Sequence, residues 1–470
     1  MRGSKMMKIR FEDDSLGRMS VPAEAMYGAQ TARALANFPI SGLCASPALI
    51  RAYLQIKLAA ARVNKTCQVL PEGIPEQIVR AIQQILSSEQ SWRDLFPVDV
   101  YQAGAGTSQN MNINEVIANF ANQGRGKGEG SVPLVAVHPN DHVNRSQSTN
   151  DTYPTAMRLA LLESSKPLVE ELRKLAKAFQ EKGQAWDNIP KSARTHLQDA
   201  VPIRLGQEMT AYGITVERCA RWVEIGRDAL RELGIGGSAA GTGLTVPDGF
   251  APGMIQELKS LTGEELSLSG NLCEAMQSQS PVLLYSSMLR IMSVELTRIC
   301  NDLRLLSSGP NTGLAEIILP AVQPGSSIMP GKVNPSILEM ANQTWFSVMG
   351  FDHTVALAVQ AGQLELNVMM PIMAHSLLEA TRIATHAARV VRQKAIEGMR
   401  PNESRLRRYF ENTPQIATAL SPKLGYEATA KLVTEATESG RSVVELVRER
   451  NLIKKGELES LLDVRRLTGI

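Results

Sequence analysis

Long apolar patterns with helical spacing constrain the fold of this 470-residue chain more than any other feature. In the clearest pattern, apolar residues recur every three to five positions from Leu284 to Leu306, and Gly309-Pro310 then ends it. Four further patterns end near a glycine: 168–179 near Gly183, 209–233 at Gly234, 335 onward near Gly362, and 371 to Gly398. Helices of about 25 residues are roughly twice the globular average, and several in succession predict a long antiparallel bundle.

The rest of the chain predicts smaller domains on either side of this bundle. Aromatic residues make up only 4% of the chain, which disfavours β-sandwich and β-barrel cores. The fold class that we expect is therefore mainly all-α, with apolar helix stripes buried in an oligomer. Prolines and a glycine-rich stretch at 124–130 interrupt the first part, and the last 70 or so residues are charged and short-segmented. We expect an N-terminal domain at 1–145, a central long-helix domain at 146–400 and a small helical domain at 401–470.

Composition excludes several classes of partner. Fifty Lys and Arg against 47 Asp and Glu leave a charge of +3, too small to indicate nucleic acid or an anionic membrane. No run approaches the ~20 apolar residues of a membrane-spanning helix, and the basic N-terminus lacks the apolar segment of a signal peptide. Residues 1–4 look like an expression leader, so we expect the natural start at Met6 or Met7. Five widely spaced cysteines without a CxxC pair favour free thiols and a cytoplasmic location.

Polar and glycine-rich stretches interrupt the helical patterns where packing does not require them. They are 104–110, 138–142, 146–151, 194–199, 236–243 and 325–335. Hydroxyls, amides, imidazoles and one lysine, without a carboxylate cluster, suit the binding of a small anion. Three structural alternatives stay open at this point. Ser148–Asp151 fits a helix N-cap as well as it fits a binding site, and Gly104–Gly106 taken alone favours a simple turn. An isolated histidine such as His196 is more often structural than functional.

Two segments resemble cofactor-binding motifs, but neither fits its motif fully. Gly234–Ala239 matches GxGxxA but follows a helical pattern, where a dinucleotide site needs a strand. Gly325–Lys332 resembles a phosphate loop, yet its glycine spacing is wrong and Val333 replaces the Ser or Thr that binds Mg²⁺. No HExxH, spaced Cys/His set or carboxylate constellation indicates a metal. The sequence therefore predicts a protein without a cofactor or metal.

The segment 325–334, Gly-Ser-Ser-Ile-Met-Pro-Gly-Lys-Val-Asn, resembles the signature of the fumarase/aspartase superfamily. The other polar segments follow in the order that this family shows, so the resemblance covers nearly the whole chain. It implies a homotetramer with a central helical bundle, a small-molecule dicarboxylate substrate and active sites shared by three subunits.

The resemblance also implies roles for single residues. A catalytic set consists of the serine base in a mobile loop, a histidine near the leaving group and the acid that orients it: Ser326, His196 and Glu339. Donors around the two carboxylates and the leaving group form the substrate-binding set: Thr107, Ser148, Thr149, Asn150, Thr195, Lys332 and Asn334. A second, peripheral dicarboxylate site is matched by three more: His138, Asn140 and Asp141.

Details of these segments favour the aspartase branch. Thr149 stands where fumarases usually have a second Ser, and 98–102, 199–202, 299–308 and 440–449 look like aspartase. Three details depart from that branch. Met370 replaces a usual Glu, Ala374-His375 is closer to fumarases, and Ala193 replaces a usual Gly.

The activity that we expect is reversible elimination of ammonia from L-aspartate to give fumarate. The serine abstracts the Cβ proton, and an enediolate forms between donors preorganised around its charge. The alternatives are fumarate hydratase, which interconverts fumarate and L-malate, and a related lyase acting on a substituted succinate. A catalytically silent relative is a third alternative, against which the retained set of polar residues argues.

Overall fold

The computed structural model of the chain describes residues 8–123 and 135–469. The first part begins with a β-hairpin and continues with helices. These elements are β1 (Ile9–Asp14), β2 (Gly17–Pro22), α1 (Ala29–Asn37), α2 (Pro47–Thr66), α3 (Ile74–Leu86), α4 (Trp92–Leu95) and α5 (Thr107–Asn122). The glycine-rich stretch at 124–130 and the expected start at Met6 or Met7 lie outside the described residues.

The middle of the chain contains five long helices with short strands between them. In chain order its elements are α6 (Thr149–Ala185), β3 (Pro190–Thr195), β4 (Gln198–Arg204), α7 (Leu205–Ala229), β5 (Glu232–Leu233), α8 (Phe250–Thr262), β6 (Ser267–Leu268), α9 (Leu272–Gln277), α10 (Ser280–Leu306), β7 (Ile317–Ile318), α11 (Ser336–Gln360) and α12 (Met370–Val391). The prediction of a mainly all-α fold is confirmed.

The last part of the chain forms short helices after one short strand. They are β8 (Arg400–Pro401), α13 (Glu403–Asn412), α14 (Ser421–Leu424), α15 (Tyr426–Ser439), α16 (Val443–Glu449), α17 (Lys455–Leu461) and α18 (Val464–Thr468). Apolar side chains between Phe410 and Leu458 form a core cluster of their own. The three-domain division with boundaries at 145 and 400 stays a prediction.

The described residues divide into two compact units. The first takes residues from 1–168, 222–291 and 347–383, and in it α2 packs against α3, α5 and α8 around fully buried residues such as Tyr53 and Ile113. The second takes residues from 169–221, 292–346 and 384–470. In this unit the β3–β4 hairpin packs against α13 and α18.

The predicted helix ends agree with the structure except in two segments. The pattern expected to continue to Gly398 ends as an α-helix at Val391, and a π-helical turn at 392–396 follows it. The pattern expected to continue to Gly234 ends at Ala229, and 232–233 form a strand that pairs in parallel with 267–268. The premise that a helix leads directly into Gly234 is therefore wrong. A dinucleotide motif would nevertheless have to open a helix, and the next helix begins only at Phe250. Across the described residues, no helix combines the length and the apolar character that crossing a membrane requires.

Candidate active site

Ser148, Thr149 and Asn150 form the start of α6, and a buried carboxylate holds this turn from below. Asp151 is fully buried, and one of its oxygens accepts a hydrogen bond from the Ser148 N–H at 3.0 Å. The Ser148 hydroxyl in turn accepts from the Asn150 N–H at 3.3 Å. This reciprocal pattern is that of a helix N-cap, which is the structural alternative that the sequence left open for residues 148–151.

The same carboxylate binds the backbone of the glycine-rich segment 236–243. The second oxygen of Asp151 accepts from the backbone N–H groups of Gly236 at 3.1 Å and Ser238 at 3.0 Å. Gly236 has φ +91°, and a Cβ there would lie 2.5 Å from the Cβ of Ala251. Glycine thus lets the backbone reach Asp151. The Asn150 amide donates to the Ala239 carbonyl at 2.8 Å, which adds a further link to this segment.

A buried lysine lies in the same region. The Lys57 ammonium donates to the Asn144 side-chain oxygen at 3.0 Å, and that oxygen also accepts from Asn110 and Asn114 at 3.2 Å each. Burial lowers the pKa of Lys57 to about 7, although Asp151 opposes the shift. Burial raises the pKa of Asp151 to about 6, against the effect of the N–H groups that it accepts from.

Thr107 begins α5 and is exposed. The preceding Gly106 has φ +81° and lies so close to Tyr153 that a Cβ would overlap its ring. Gly104–Gly106 is therefore a tight turn. Asn110, one helical turn after Thr107, bonds Asn144, which precedes the start of α6. The structure thus links the helix that carries Thr107 to the segment before Ser148.

Thr195 and His196 lie at the exposed tip of the β3–β4 hairpin. Thr195 pairs with Gln198, so His196 and Leu197 form a two-residue turn, with φ values of +56° and +59°. A residue other than glycine is destabilised by about 1–2 kcal/mol in this left-handed backbone conformation. Such strain is often found at functional positions. The hairpin itself is absent from the sequence-based predictions.

Glu339, the residue expected to orient His196, lies in the first turn of α11. Both residues are described, and no hydrogen bond joins them within the chain. Their predicted partnership stays a prediction.

The segment 325–334 is a surface loop whose hydrogen bonds are all local. The Gly325 N–H donates to the Lys332 carbonyl at 2.7 Å, and the Asn334 amide donates to the Gly325 carbonyl at 2.7 Å. These two bonds close the loop at its base. The Ser326 hydroxyl oxygen accepts from the backbone N–H groups of Ile328 and Met329, at 3.2 Å each. Two donors converging on a serine oxygen favour its negatively charged form.

The three residues expected at a peripheral site lie in one exposed turn. The Nδ1 atom of His138 lies 3.1 Å from the Asp141 N–H nitrogen and 3.1 Å from its carboxylate. His138 and Asn140 line a cavity of about 620 Å³, which is also lined by four acidic residues: Glu12, Asp13, Asp14 and Glu115. These carboxylates make the cavity less favourable for a dicarboxylate. The peripheral site stays a prediction.

Within 8–123 and 135–469, no group of three or more His, Cys, Asp and Glu residues is arranged to hold a metal ion.

Two buried charged residues were not predicted from the sequence, Lys57 in α2 and Glu316 before β7. A lone charged residue inside an apolar pattern is the signal that would have found them.

Comparisons with known proteins match nearly the whole chain to one group of enzymes. The sequence model of a family described as "Lyase" matches residues 17–350, and that of the "Fumarase C C-terminus" matches 416–469. The aspartate ammonia-lyase of Bacillus subtilis is 42% identical over 98% of this chain and 96% of its own.

Two solved structures have the same fold over nearly all of their length. A fumarate lyase:delta crystallin from Brucella melitensis has a TM-score of 0.93 at 42% identity, covering 98% of this chain and 100% of its own. The class II fumarase of Schistosoma mansoni has a TM-score of 0.90 at 33% identity, and the match covers 97% of this chain and 98% of the fumarase chain. The chain therefore belongs to the fumarase/aspartase superfamily of lyases, which confirms the resemblance drawn from its sequence.

Proposed function

We propose that this protein eliminates ammonia from L-aspartate to give fumarate, reversibly. The observation that carries this proposal is the similarity to aspartate ammonia-lyases, 41–43% identical over 96–98% of the chain. The polar segments 104–110, 148–151, 194–199 and 325–334 all lie within the matched length. The protein is thus an enzyme of the carbon–nitrogen lyase class.

Ser326 is the base in this proposal. Its oxygen takes the proton from Cβ of the substrate, and the C–H electron pair moves into the adjacent carboxylate to form an enediolate. The N–H groups of Ile328 and Met329 support the alkoxide that this step needs. Lys332 and Asn334 bind one substrate carboxylate, and preorganised donors have their largest effect around the carboxylate that gains the charge.

The other end of the substrate is held by hydroxyl donors. Thr107, Ser148 and Thr149 bind the second carboxylate, from helix starts whose backbone N–H groups also favour an anion. Collapse of the enediolate forms the Cα–Cβ double bond and breaks the Cα–N bond. Asn150, Thr195 and His196 surround the departing nitrogen, with Glu339 orienting His196.

Fumarate hydration is the second candidate function, and three observations favour it. Ala374-His375 follows the fumarase pattern, and the class II fumarase of Schistosoma mansoni shares the fold at 33% identity. Met370, which replaces a usual Glu of aspartases, is fully buried at the start of α12. Because the two reactions share the enediolate, only the leaving group separates them.

We also propose a homotetramer located in the cytoplasm, with each active site completed by three subunits. Thr107, His196 and Lys332 are exposed in the single chain. The long helices α7, α10 and α11 each carry half-exposed apolar side chains, and an oligomer would cover them: Ile225, Val294 and Phe346. Free cysteines support a reducing compartment.

Absorbance of fumarate formed from L-aspartate and from L-malate tests the function. We expect a signal from aspartate, and a loss of about 10²–10⁴-fold in kcat in Ser326→Ala, typical for removal of a general base. Ser327→Ala is the matched control, since its side chain is exposed and forms no described hydrogen bond. A signal from malate alone would establish the hydratase instead, and full activity in Ser326→Ala would overturn the assignment of the base.

A further inference from the structure

We propose that Glu316, Arg194 and Tyr409 act as a positioning group that holds the β3–β4 hairpin, and with it Thr195 and His196, in the geometry needed for catalysis. This inference rests on the proposed function, because that function places the hairpin tip beside the leaving group. All residues of the group lie in the second compact unit.

Glu316 provides the buried centre of the group. Its side chain is fully buried, and one carboxylate oxygen lies 2.6 Å from an Arg194 guanidinium nitrogen. The other oxygen lies 2.8 Å from the Lys191 ammonium, itself 97% buried. Two cations of strand β3 therefore converge on one carboxylate. Breaking this buried arrangement is costly because Arg194 would lose its carboxylate partner, whereas Lys191 would keep its hydrogen bond to Glu208 at 2.8 Å.

Arg194 lies between this carboxylate and an aromatic ring. Its guanidinium carbon is 5.3 Å from the centre of the Tyr409 ring, which belongs to α13. A cation at this distance is attracted to the face of the ring. Arg194 directly precedes Thr195, so the two contacts fix the backbone one residue before the proposed site.

The hairpin needs such a constraint because its tip is strained. The strand pairing shifts between Ser192 and Arg194, so that two residues of β4, Ala200 and Val201, lie opposite Ala193. Two left-handed residues follow at the turn, His196 and Leu197. A left-handed turn without glycine persists only where surrounding contacts hold it. The Arg194 ion pair and the ring contact lie between this shift and the turn, and the Lys191 ion pair lies just before the shift.

Glu316 also connects the hairpin to the segment that leads to Ser326. Its backbone carbonyl accepts from the Asn402 N–H at 2.9 Å, and the following strand β7 pairs with β8. Ser326 lies ten positions further along the chain. One carboxylate therefore fixes the base of the hairpin to the strand that precedes the Ser326 loop.

The test compares Tyr409→Leu with Tyr409→Phe and Arg405→Met in the full chain. Leucine removes the ring face, and we expect kcat for aspartate to fall about tenfold while KM changes less than about threefold, since a small misplacement of catalytic groups lowers kcat strongly. Tyr409→Phe keeps the ring and should restore most of the activity. Arg405 also faces this ring, at 5.7 Å, without belonging to the hairpin, so Arg405→Met is the matched control.

Hydrogen exchange provides a readout that does not depend on catalysis. We expect the amides of 190–204 to exchange faster in Tyr409→Leu than in the wild type and in Arg405→Met. Glu316→Gln should have a larger effect on kcat, about 10²-fold. Because Glu316→Gln loses a buried charge pair and can fail to fold, Arg194→Lys is the second variant of this test. Lysine keeps the positive charge at position 194 but lacks the flat guanidinium group.

Equal kcat values in Tyr409→Leu and Arg405→Met would overturn the proposed positioning role. A wild-type protein that forms no fumarate from aspartate would contradict the proposed function instead. In that case unchanged exchange of the hairpin amides in Tyr409→Leu would overturn the anchoring of the hairpin as well, and faster exchange would support it.

Discussion

The turn at Ser148–Asn150 and the loop at 325–334 both present a serine proposed to meet the substrate, yet they are held in opposite ways. The turn is fixed through Asp151 to the backbone at 236 and 238, more than 80 residues away in sequence. The loop is closed by hydrogen bonds among its own residues, and its Ile328 side chain is 84% exposed. Distant buried contacts support one segment, and short local ones support the other.

This difference fits the roles proposed for the two segments, which are binding for the turn and proton abstraction for the loop. A segment tied to the buried interior opens only when much of the structure opens, whereas a surface loop with local bonds opens at low free energy. The turn suits a fixed binding site for one carboxylate. The loop suits closure over bound substrate, which excludes water and completes the site.

Removing the carboxylate of Asp151 should have the largest effect on stability. In Asp151→Ala three backbone N–H groups lose their acceptor and Lys57 loses its electrostatic partner, so we expect the free energy of unfolding to fall by roughly 3–5 kcal/mol. Urea unfolding followed by circular dichroism measures this change. Glu427→Ala is the control: its carboxylate is 87% exposed and pairs with Lys431, so the loss should stay below about 0.5 kcal/mol. Equal losses in the two variants would show that the turn is not held from its buried side.

The buried Lys57 predicts how stability depends on pH. Its pKa is about 7 in the folded protein and ordinary in the unfolded chain, where lysine titrates near ~10.4. Between these values the unfolded state binds one proton more, so the free energy of unfolding should rise with pH, by at most about 1.4 kcal/mol per unit. Below about pH 7 Lys57 is protonated in both the folded and the unfolded state, so its contribution to the free energy of unfolding no longer changes with pH.

Lys57→Met isolates that contribution, since methionine has a similar shape and no charge. We expect the stability of the wild type to rise relative to Lys57→Met between pH 7.5 and 9.5, as measured by urea unfolding at both values. Curves that stay parallel would mean that Lys57 keeps its proton throughout this range.

Much of the fold was predictable because its long helices follow one simple rule. Apolar stripes with a period near 3.6 and glycine or proline at the ends located α6, α7, α10, α11 and α12. The β3–β4 hairpin was not predicted for an equally physical reason. Its turn is His196-Leu197, not the Asn-Gly type that favours positive φ, and Pro202 interrupts its second strand.

The candidate site was only partly accessible from the sequence. Local motifs singled out Ser148 and Ser326 as candidates, because each lies in a run of polar residues with its own pattern. The buried charges that hold the β3–β4 hairpin and the segment before Ser148 have partners far away in sequence. Arg194 and Glu316 are 122 positions apart, and Lys57 and Asn144 are 87 apart. Only the fold brings such pairs together, so neither was visible in a local pattern.

The smallest effect on global stability should come from the loop. Asn334→Ala removes the side-chain bond that closes its base, and because the loop is exposed, we expect the free energy of unfolding to change by less than about 0.5 kcal/mol. Exchange of the amides between 325 and 334 should nevertheless become several-fold faster, since the lost bond is worth about 1 kcal/mol locally. Lys332→Met is the control within the same loop: no described side-chain bond is lost, and we expect exchange to stay as in the wild type. A large drop in global stability in Asn334→Ala would instead mean that the loop is coupled to the interior, as the turn at Ser148 is.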